Sequence, residues 1–139
     1  MIRHPIGRLA MRPLLLDTCA VLRLANGEFG KFSRSAMKAM READMLYVSP
    51  ISEWEISLKW KQGGIELPLD PRALMRKLMN AYSLSLVPLS EEVMFRATEL
   101  PDIHRDPADR FIIATAMLGN MVVVTTDHRF PQYGVSVVS

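Results

Sequence analysis

The chain has 139 residues, of which 49% are hydrophobic and 23% charged, as in an ordinary globular domain with a sizeable core. Its formal net charge of +2 gives no argument for nucleic-acid binding by charge alone. Cys19 is the only cysteine, which excludes an internal disulfide and fits a reducing, cytoplasmic setting. No apolar stretch of the sequence approaches the length of a membrane span.

The first residues of the chain do not read as a signal peptide. Their apolar runs are short and are broken by Pro5, Arg8, Arg12 and Pro13. We expect residues 1–10 to be a disordered tail and residues 11–139 to form the domain, with Met11 as a candidate start of translation.

Apolar runs alternate with helix-like stretches along the rest of the chain. The predicted strands span residues 14–17, 45–49, 84–90, 121–127 and 134–139. The predicted helices span residues 18–25, 33–43, 51–61, 71–82, 91–100 and 107–118. This alternation favours an α/β fold, in which helices cover both faces of a parallel sheet. Ligand sites in such sheets lie beyond the carboxyl ends of the strands.

Three acids stand at or just after predicted strand ends. Asp17 ends the first strand, and Asp127 directly follows the fourth. Glu55 lies on the helix that follows the second strand, and its helical neighbours at three- and four-residue spacing are largely apolar. We therefore expect Glu55 to lean toward the interior, where a carboxylate needs a partner or a metal, and Glu53 to face solvent.

The segment "HRDPADRFIIATA" carries two further acids at the start of a helix. Asp106 is predicted to be the N-cap, with Pro107 at the first helical position. Asp109 then lies in the first turn, where the helix dipole favours a negative charge. Local sequence leaves open whether Asp109 only supports the helix start or joins the other acids, because this turn could lie at either edge of the sheet.

Four segments together resemble those of a known family. "LLLDTCAVLRL", "YVSPISEWEISLKWKQGGIEL", "LPDIHRDPADRFIIATAM" and "VVVTTDHRFPQYGVSVV" occur in the order found in PIN-domain ribonucleases, most closely the VapC-type toxins of prokaryotic toxin–antitoxin pairs. The resemblance runs from Leu14 to the end of the chain. It implies a single PIN-like domain with a five-stranded parallel sheet between helices, and it implies an acidic site formed by Asp17, Glu55, Asp109 and Asp127.

The resemblance also implies a reaction. Four carboxylates in one cleft repel each other unless cations neutralise them, and oxygen ligands suit Mg²⁺ or Mn²⁺. The expected activity is hydrolysis of RNA phosphodiester bonds, with Asp17 and Asp109 as direct metal ligands. Glu55 and Asp127 are expected to bind a second ion or to hold metal-bound waters. Residues that could support these ligands or contact the substrate are Thr18, Lys59, Asp106, Arg110, Thr125 and Thr126.

Other side chains near these motifs each have two interpretations. Lys59, Arg23, Arg105 and Arg110 either contact the RNA backbone or are solvated charges. Trp54 and Trp60 either stack on bases or pack in the core or at an interface. Cys19 is expected to be a buried thiol, and His104 to be an exposed loop histidine rather than a base or ligand.

The resemblance implies two protein partners, a second copy of the chain and a co-expressed antitoxin. We expect the antitoxin to insert an Arg or Lys among Asp17, Glu55 and Asp109. We also expect it to cover apolar surface around Val21, Leu22 and Trp54. Two alternatives stay open: a PIN-fold binding module with an idle acidic pocket, and a housekeeping nuclease. An aspartyl phosphatase is excluded, because it needs an acid where Cys19 stands. A cysteine phosphatase needs an arginine six residues after that cysteine, where the chain has an alanine.

Overall fold

Five short strands form one parallel sheet in the computed structural model, which describes residues 12–139. The predicted tail at residues 1–10 lies outside the described part of the chain. The strands are β1 (Leu14–Leu16), β2 (Leu46–Val48), β3 (Leu84–Leu86), β4 (Val122–Val124) and β5 (Val137–Val138). The helices are α1 (Thr18–Ala25), α2 (Arg34–Glu42), α3 (Pro50–Lys61), α4 (Pro71–Ala81), α5 (Glu91–Glu99) and α6 (Pro107–Gly119).

The strand order is β3-β2-β1-β4-β5, and every neighbouring pair is parallel. The chain therefore builds the sheet outward from β1 in one direction and then returns to add β4 on its other side. This reversal makes the carboxyl ends of β1 and β4 the switch point at which open α/β sheets bind ligands. The predicted fold class is confirmed.

Helices cover both faces of the sheet because its strands are apolar on both sides. Leu14 and Leu16 of β1 pack into one core cluster with helices α1, α3 and α4. Leu15, which points the other way, packs into a second cluster with α5, α6 and Phe130. All three leucines are at most 4% exposed, as expected for a central parallel strand.

Each helix begins at a serine or aspartate whose side chain accepts a backbone N–H of the first turn. These N-caps are Asp17, Ser33, Ser49, Asp70, Ser90 and Asp106. Each cap typically stabilises a helix by about 1 kcal/mol relative to alanine. Three of the helices have proline at their first position, where its missing N–H costs nothing.

The predicted elements all exist, but the strands are shorter than predicted. The predicted runs extend beyond the strands that the structure has. Asp17, which caps α1, and Thr125 directly follow β1 and β4, and each still donates its backbone N–H to a neighbouring strand. Asp127 lies further along, in the turn after β4. Two 3₁₀ turns, Phe29–Lys31 and Pro131–Tyr133, were not predicted. No α-helix within residues 12–139 has the length and hydropathy to cross a membrane.

Candidate acidic active site

Asp17 lies at the switch point between β1 and β4, and it is 5% exposed. One carboxylate oxygen accepts the N–H of Ala20 at 2.8 Å as the N-cap of α1. The Thr125 hydroxyl also hydrogen-bonds the Asp17 carboxylate. Burial nevertheless raises the pKa of Asp17 above its usual value, because these two hydrogen bonds do not fully replace lost water.

Thr125 connects Asp17 with the other acid at this point. Its Oγ1 accepts the backbone N–H of Asp127 at 3.0 Å, and the residue is 4% exposed. The hydroxyl therefore lies between the two aspartates and fixes the turn after β4. Thr126 points outward and is exposed. The sequence singled out both threonines, and the structure places only Thr125 against the acids.

Glu55 leans toward the interior from α3, as its helical neighbours predicted. Its side chain is 12% exposed, and Lys59 Nζ lies 3.5 Å from Glu55 Oε2, one helical turn away. The same helix is held against α1 by a buried hydrogen bond of 2.9 Å between the hydroxyls of Thr18 and Ser52. Thr18 thus supports the relative position of the Asp17 and Glu55 helices and contacts neither carboxylate through an observed hydrogen bond.

Asp109 lies close to the other acids, so α6 begins at the same edge of the sheet as they do. Its pKa is raised to about 7, first by burial and then by the charges of Asp106, Asp17, Glu55 and Asp127. Within residues 12–139, His104 is the one basic side chain within salt-bridge distance of Asp109. Asp109 is therefore a carboxylate that lacks a strong counter-charge in the metal-free protein.

Asp127, unlike Asp109, has a strong counter-charge beside it. Arg129 donates to both of its carboxylate oxygens, from Nε at 3.0 Å and from Nη2 at 2.9 Å. The Arg129 guanidinium is the main reason that the pKa of Asp127 is lowered to about 2, with His104 a weaker contributor. Asp127 is thus ionised and already paired, so it has less need of a metal than Asp109 has.

His104 is buried, which contradicts the predicted exposed loop histidine. It is 2% exposed, and its Nε2 lies 2.9 Å from Oδ2 of both Asp109 and Asp127. These three residues each place one possible ligand atom within 4.8 Å of the others. The ring packs edge-on against Phe130, with the centroids 5.9 Å apart. This loop residue, missed from the sequence, is the central polar contact of the site.

The Arg110 side chain is only 14% exposed, so it is not the solvated charge that was one of its two interpretations. Its guanidinium donates to the backbone carbonyls of Ala97, Leu100, Pro101 and His104, at 2.8 to 3.1 Å. A rigid fork of five N–H donors suits this cluster of carbonyl oxygens. Arg110 therefore holds the loop between α5 and α6 in place.

Asp106 is the predicted N-cap of α6, and this prediction is confirmed. Its Oδ1 accepts the N–H of Ala108 at 3.0 Å. The residue is exposed, but its charge is the second-largest cause of the raised pKa of Asp109. Asp106 thus influences the site through space and has no observed contact with the other acids.

Several other predictions about exposure are wrong. Cys19 is exposed, because the first turn of α1 presents it outward while Thr18 and Ala20 are buried. Trp54 and Trp60 are 58% and 43% exposed, which excludes the core for both and leaves base stacking and interface packing open. Glu53, predicted to face solvent, is half-buried, and burial raises its pKa. Val21, predicted to contact a partner, is fully buried and not available to one. Arg23 lies over the Phe32 ring.

The oxygen donors of this site fit a hard divalent cation. Asp109 lies near enough to Asp17, Glu55 and Asp127 for their charges to raise its pKa, and its carboxylate lies within 4.8 Å of possible ligand atoms of His104 and Asp127. The mutual repulsion of these acids, most visible in the raised pKa of Asp109, is the condition that Mg²⁺ or Mn²⁺ would relieve. A site of this composition can hold a metal, orient a phosphate and position a water.

Comparison with known proteins points to one family. The PIN domain family matches residues 14–135. Ribonuclease VapC22 of Mycobacterium tuberculosis (strain ATCC 25618 / H37Rv) is 32% identical over 120 residues, which cover 86% of this chain and 90% of that protein. This identity and coverage are high enough to assign the chain to the family of that relative.

Two solved complexes share the fold. A toxin–antitoxin complex from Klebsiella pneumoniae aligns with a TM-score of 0.62 at 20% identity, covering 91% of this chain and 96% of that chain. VapBC2 from Rickettsia felis, bound to a DNA fragment from its promoter, aligns with a TM-score of 0.66 at 16% identity, covering 90% and 96%. Taken with the family match, these findings show that the chain belongs to the PIN-domain family, among its VapC-type ribonucleases.

Proposed function

We propose that this chain is a Mg²⁺- or Mn²⁺-dependent endoribonuclease and the toxin of a toxin–antitoxin pair. The observation that carries the proposal is the raised pKa of Asp109, because three of the other predicted site acids, Asp17, Glu55 and Asp127, contribute to it and must therefore lie near Asp109. Related ribonucleases supply the substrate class.

The proposed roles depend on how strongly each carboxylate is already paired. Asp17 and Asp109 would hold the metal directly, and Glu55 would bind a second ion or orient water. Asp127, whose two oxygens already accept hydrogen bonds from Arg129 and His104, would act behind these ligands. A bound divalent cation supplies Lewis-acid stabilisation of the phosphate charge and lowers the pKa of a coordinated water.

Substrate binding would use the exposed cations at the rim of the acidic cleft. Arg105 lies one residue before the cap of α6 and is exposed, and the Lys59 side chain is 48% exposed beside Glu55. Phosphate contacts of this kind dominate the affinity of proteins for nucleic acids. Exposed Trp54, next to Glu55 on α3, is a candidate platform for an unpaired base.

The proposed regulator is an antitoxin protein. Both structural relatives described above contain toxin and antitoxin together. An arginine from such a partner could pair with the carboxylates of Asp17, Glu55 and Asp109 through two parallel hydrogen bonds. We also expect a homodimer that acts on RNA in the cytoplasm of a prokaryote.

The test is cleavage of a labelled single-stranded RNA pool by the purified chain, with Mg²⁺, with Mn²⁺ and with excess EDTA. Cleavage should require the metal and should be abolished by Asp17→Asn, since this change keeps the side-chain volume and removes a ligand charge. Asp70→Asn is the matched control, because Asp70 caps α4 through the same bond, to the N–H three residues on. Full cleavage in EDTA, or an active Asp17→Asn variant, would refute the proposal.

Growth measurements separate the toxin from a housekeeping nuclease and from an idle binding module. Expression of the wild-type chain should slow bacterial growth, and co-expression of the adjacent upstream gene should restore it. A chain that cleaves RNA but leaves growth unchanged would be a housekeeping nuclease. A chain that binds RNA without cleaving it under any metal would be the idle module.

A further inference from the structure

The hydrogen bonds around the buried His104 ring define its protonation. His104 Nδ1 accepts the backbone N–H of Asp106 at 3.2 Å. A backbone N–H can only donate, so Nδ1 must present its lone pair and carries no proton. The ring proton is therefore on Nε2, the nitrogen that lies 2.9 Å from Oδ2 of both Asp109 and Asp127.

This tautomer determines what His104 can do in the site. A protonated Nε2 has no lone pair to offer a cation, so His104 is not a metal ligand, although its distance to the acids would allow one. Instead its single N–H donates to Oδ2 of Asp127 at 2.9 Å, and the same nitrogen lies 2.9 Å from Oδ2 of Asp109 without an observed hydrogen bond to it. The ring thus contacts both carboxylates while it offers them a single donor.

The backbone of His104 is fixed independently of these contacts. The Tyr133 hydroxyl accepts the N–H of His104 at 2.7 Å and that of Ile103 at 3.1 Å, and it donates to the carbonyl of Pro101 at 2.7 Å. The Arg110 guanidinium donates to the His104 carbonyl at 3.0 Å. The ring is thus attached to a rigid support, which is what a group that must hold others in place requires.

We propose that His104 is a positioning residue: its Nε2–H, bonded to Asp127 after β4, holds the carboxylate of Asp109 on α6 in place to receive a divalent cation. The inference rests on the proposed function and names a residue outside its acidic set. Two carboxylates that both lie against one Nε2–H keep their geometry despite their repulsion. Without this contact they turn apart, and Asp109 must be reoriented when the metal binds.

Three variants separate this role from simple packing. In His104→Asn the side-chain oxygen can still accept the Asp106 N–H, but the side chain ends short of the two carboxylates. In His104→Gln the side-chain amide reaches them and can still donate. His104→Leu removes both contacts and serves as the measure of a purely structural loss. Each is compared by Mn²⁺ titration calorimetry, by thermal unfolding in EDTA and by RNA cleavage.

We expect His104→Gln to bind Mn²⁺ within about threefold of the wild-type affinity, and His104→Asn to bind it about 10- to 100-fold more weakly, the usual loss when an outer-shell partner of a metal ligand is removed. Unfolding temperatures in EDTA should be similar for these two variants. Equal Mn²⁺ affinity for the Asn and Gln variants, at equal stability, would overturn the positioning role and leave the proposed function intact. A wild-type chain that binds no Mn²⁺ would overturn both.

The tautomer is tested directly by ¹⁵N NMR of the imidazole ring. We expect the His104 ring to show a protonated Nε2 and an unprotonated Nδ1, both without metal and with saturating Mg²⁺. A protonated Nδ1, or an Nε2 that loses its proton when Mg²⁺ binds, would show that His104 ligates the metal and would refute the inference.

Discussion

Asp109→Asn should stabilise the metal-free protein at alkaline pH while it removes metal binding. The pKa of Asp109 is about 7 in the folded chain, against 3.8 for a free aspartate. The folded state therefore favours the protonated acid, and the resulting stabilisation, complete below pH 4, is lost as the pH rises through 7. The difference between these values corresponds to at most about 4 kcal/mol of unfolding free energy at pH 8. Asparagine has no charge to lose and avoids this cost.

The assay is chemical denaturation in EDTA at several pH values between 5 and 8. The wild-type free energy of unfolding should fall across this range, and that of Asp109→Asn should fall less, because it keeps only the raised pKa values of Asp17 and Glu53 among the carboxylates of the described residues. Asp127 does not interfere, since its pKa of about 2 places its titration well below the window. Asp70→Asn, at an exposed helix cap, controls for the loss of one negative charge.

Added Mg²⁺ should make the wild-type chain more stable than the Asp109→Asn variant. A ligand that binds only the folded state stabilises it in proportion to the logarithm of its concentration over the dissociation constant. The wild-type chain should therefore gain stability with Mg²⁺, and Asp109→Asn should not. An Asp109→Asn variant that is less stable than wild type in EDTA at pH 8 would refute the claim that this carboxylate is repelled by its neighbours.

Two further predictions concern the residues around Asp109. Asp106→Asn should leave both RNA cleavage and unfolding free energy nearly unchanged, within about 0.5 kcal/mol, because asparagine caps helices as well as aspartate; a large loss of cleavage would place Asp106 in the metal site. Arg110→Lys should destabilise the chain by about 2–3 kcal/mol in urea denaturation, because one ammonium cannot reach all the carbonyls that the guanidinium serves. A loss of RNA affinity at unchanged stability would instead support the interpretation of Arg110 as an RNA contact.

The fold was predictable because its local signals agree with one another. Serine or aspartate precedes every helix, and the strands are runs that are apolar on both faces, as a covered parallel sheet requires. The strand ends were less predictable, since Thr125 has the β-branched form of a strand residue and still donates its backbone N–H to Val138, yet it lies just past the end of β4. Its hydroxyl bonds Asp17 and the Asp127 backbone, partners that no local pattern contains.

The acids were predictable to different degrees. Asp17 follows the central strand and Glu55 lies on the helix that continues the neighbouring strand, so the strand-end rule alone brought them to one edge. Asp109 could not be placed by that rule, because two helices, α5 and α6, stand between β3 and β4. The resemblance to PIN-domain ribonucleases implied that Asp109 lies beside the other acids, and the structure supports this, because the charges of Asp17 and Glu55 raise its pKa.

His104 was misjudged for a reason that concerns all buried polar loops. Apart from Ile103, its neighbours in sequence are charged, which is the composition of an exposed segment. The burial comes from residues 23 to 29 positions away, namely Asp127, Phe130 and Tyr133, which the sheet brings back over the loop. A buried polar ring must satisfy both nitrogens, and here one is satisfied two residues along the chain and the other across the fold. The hydrogen bond between His104 Nδ1 and the Asp106 N–H is the short-range one of the two. Its sequence pattern, a histidine two residues before a capping aspartate, is the only indication of this burial that the sequence could have offered.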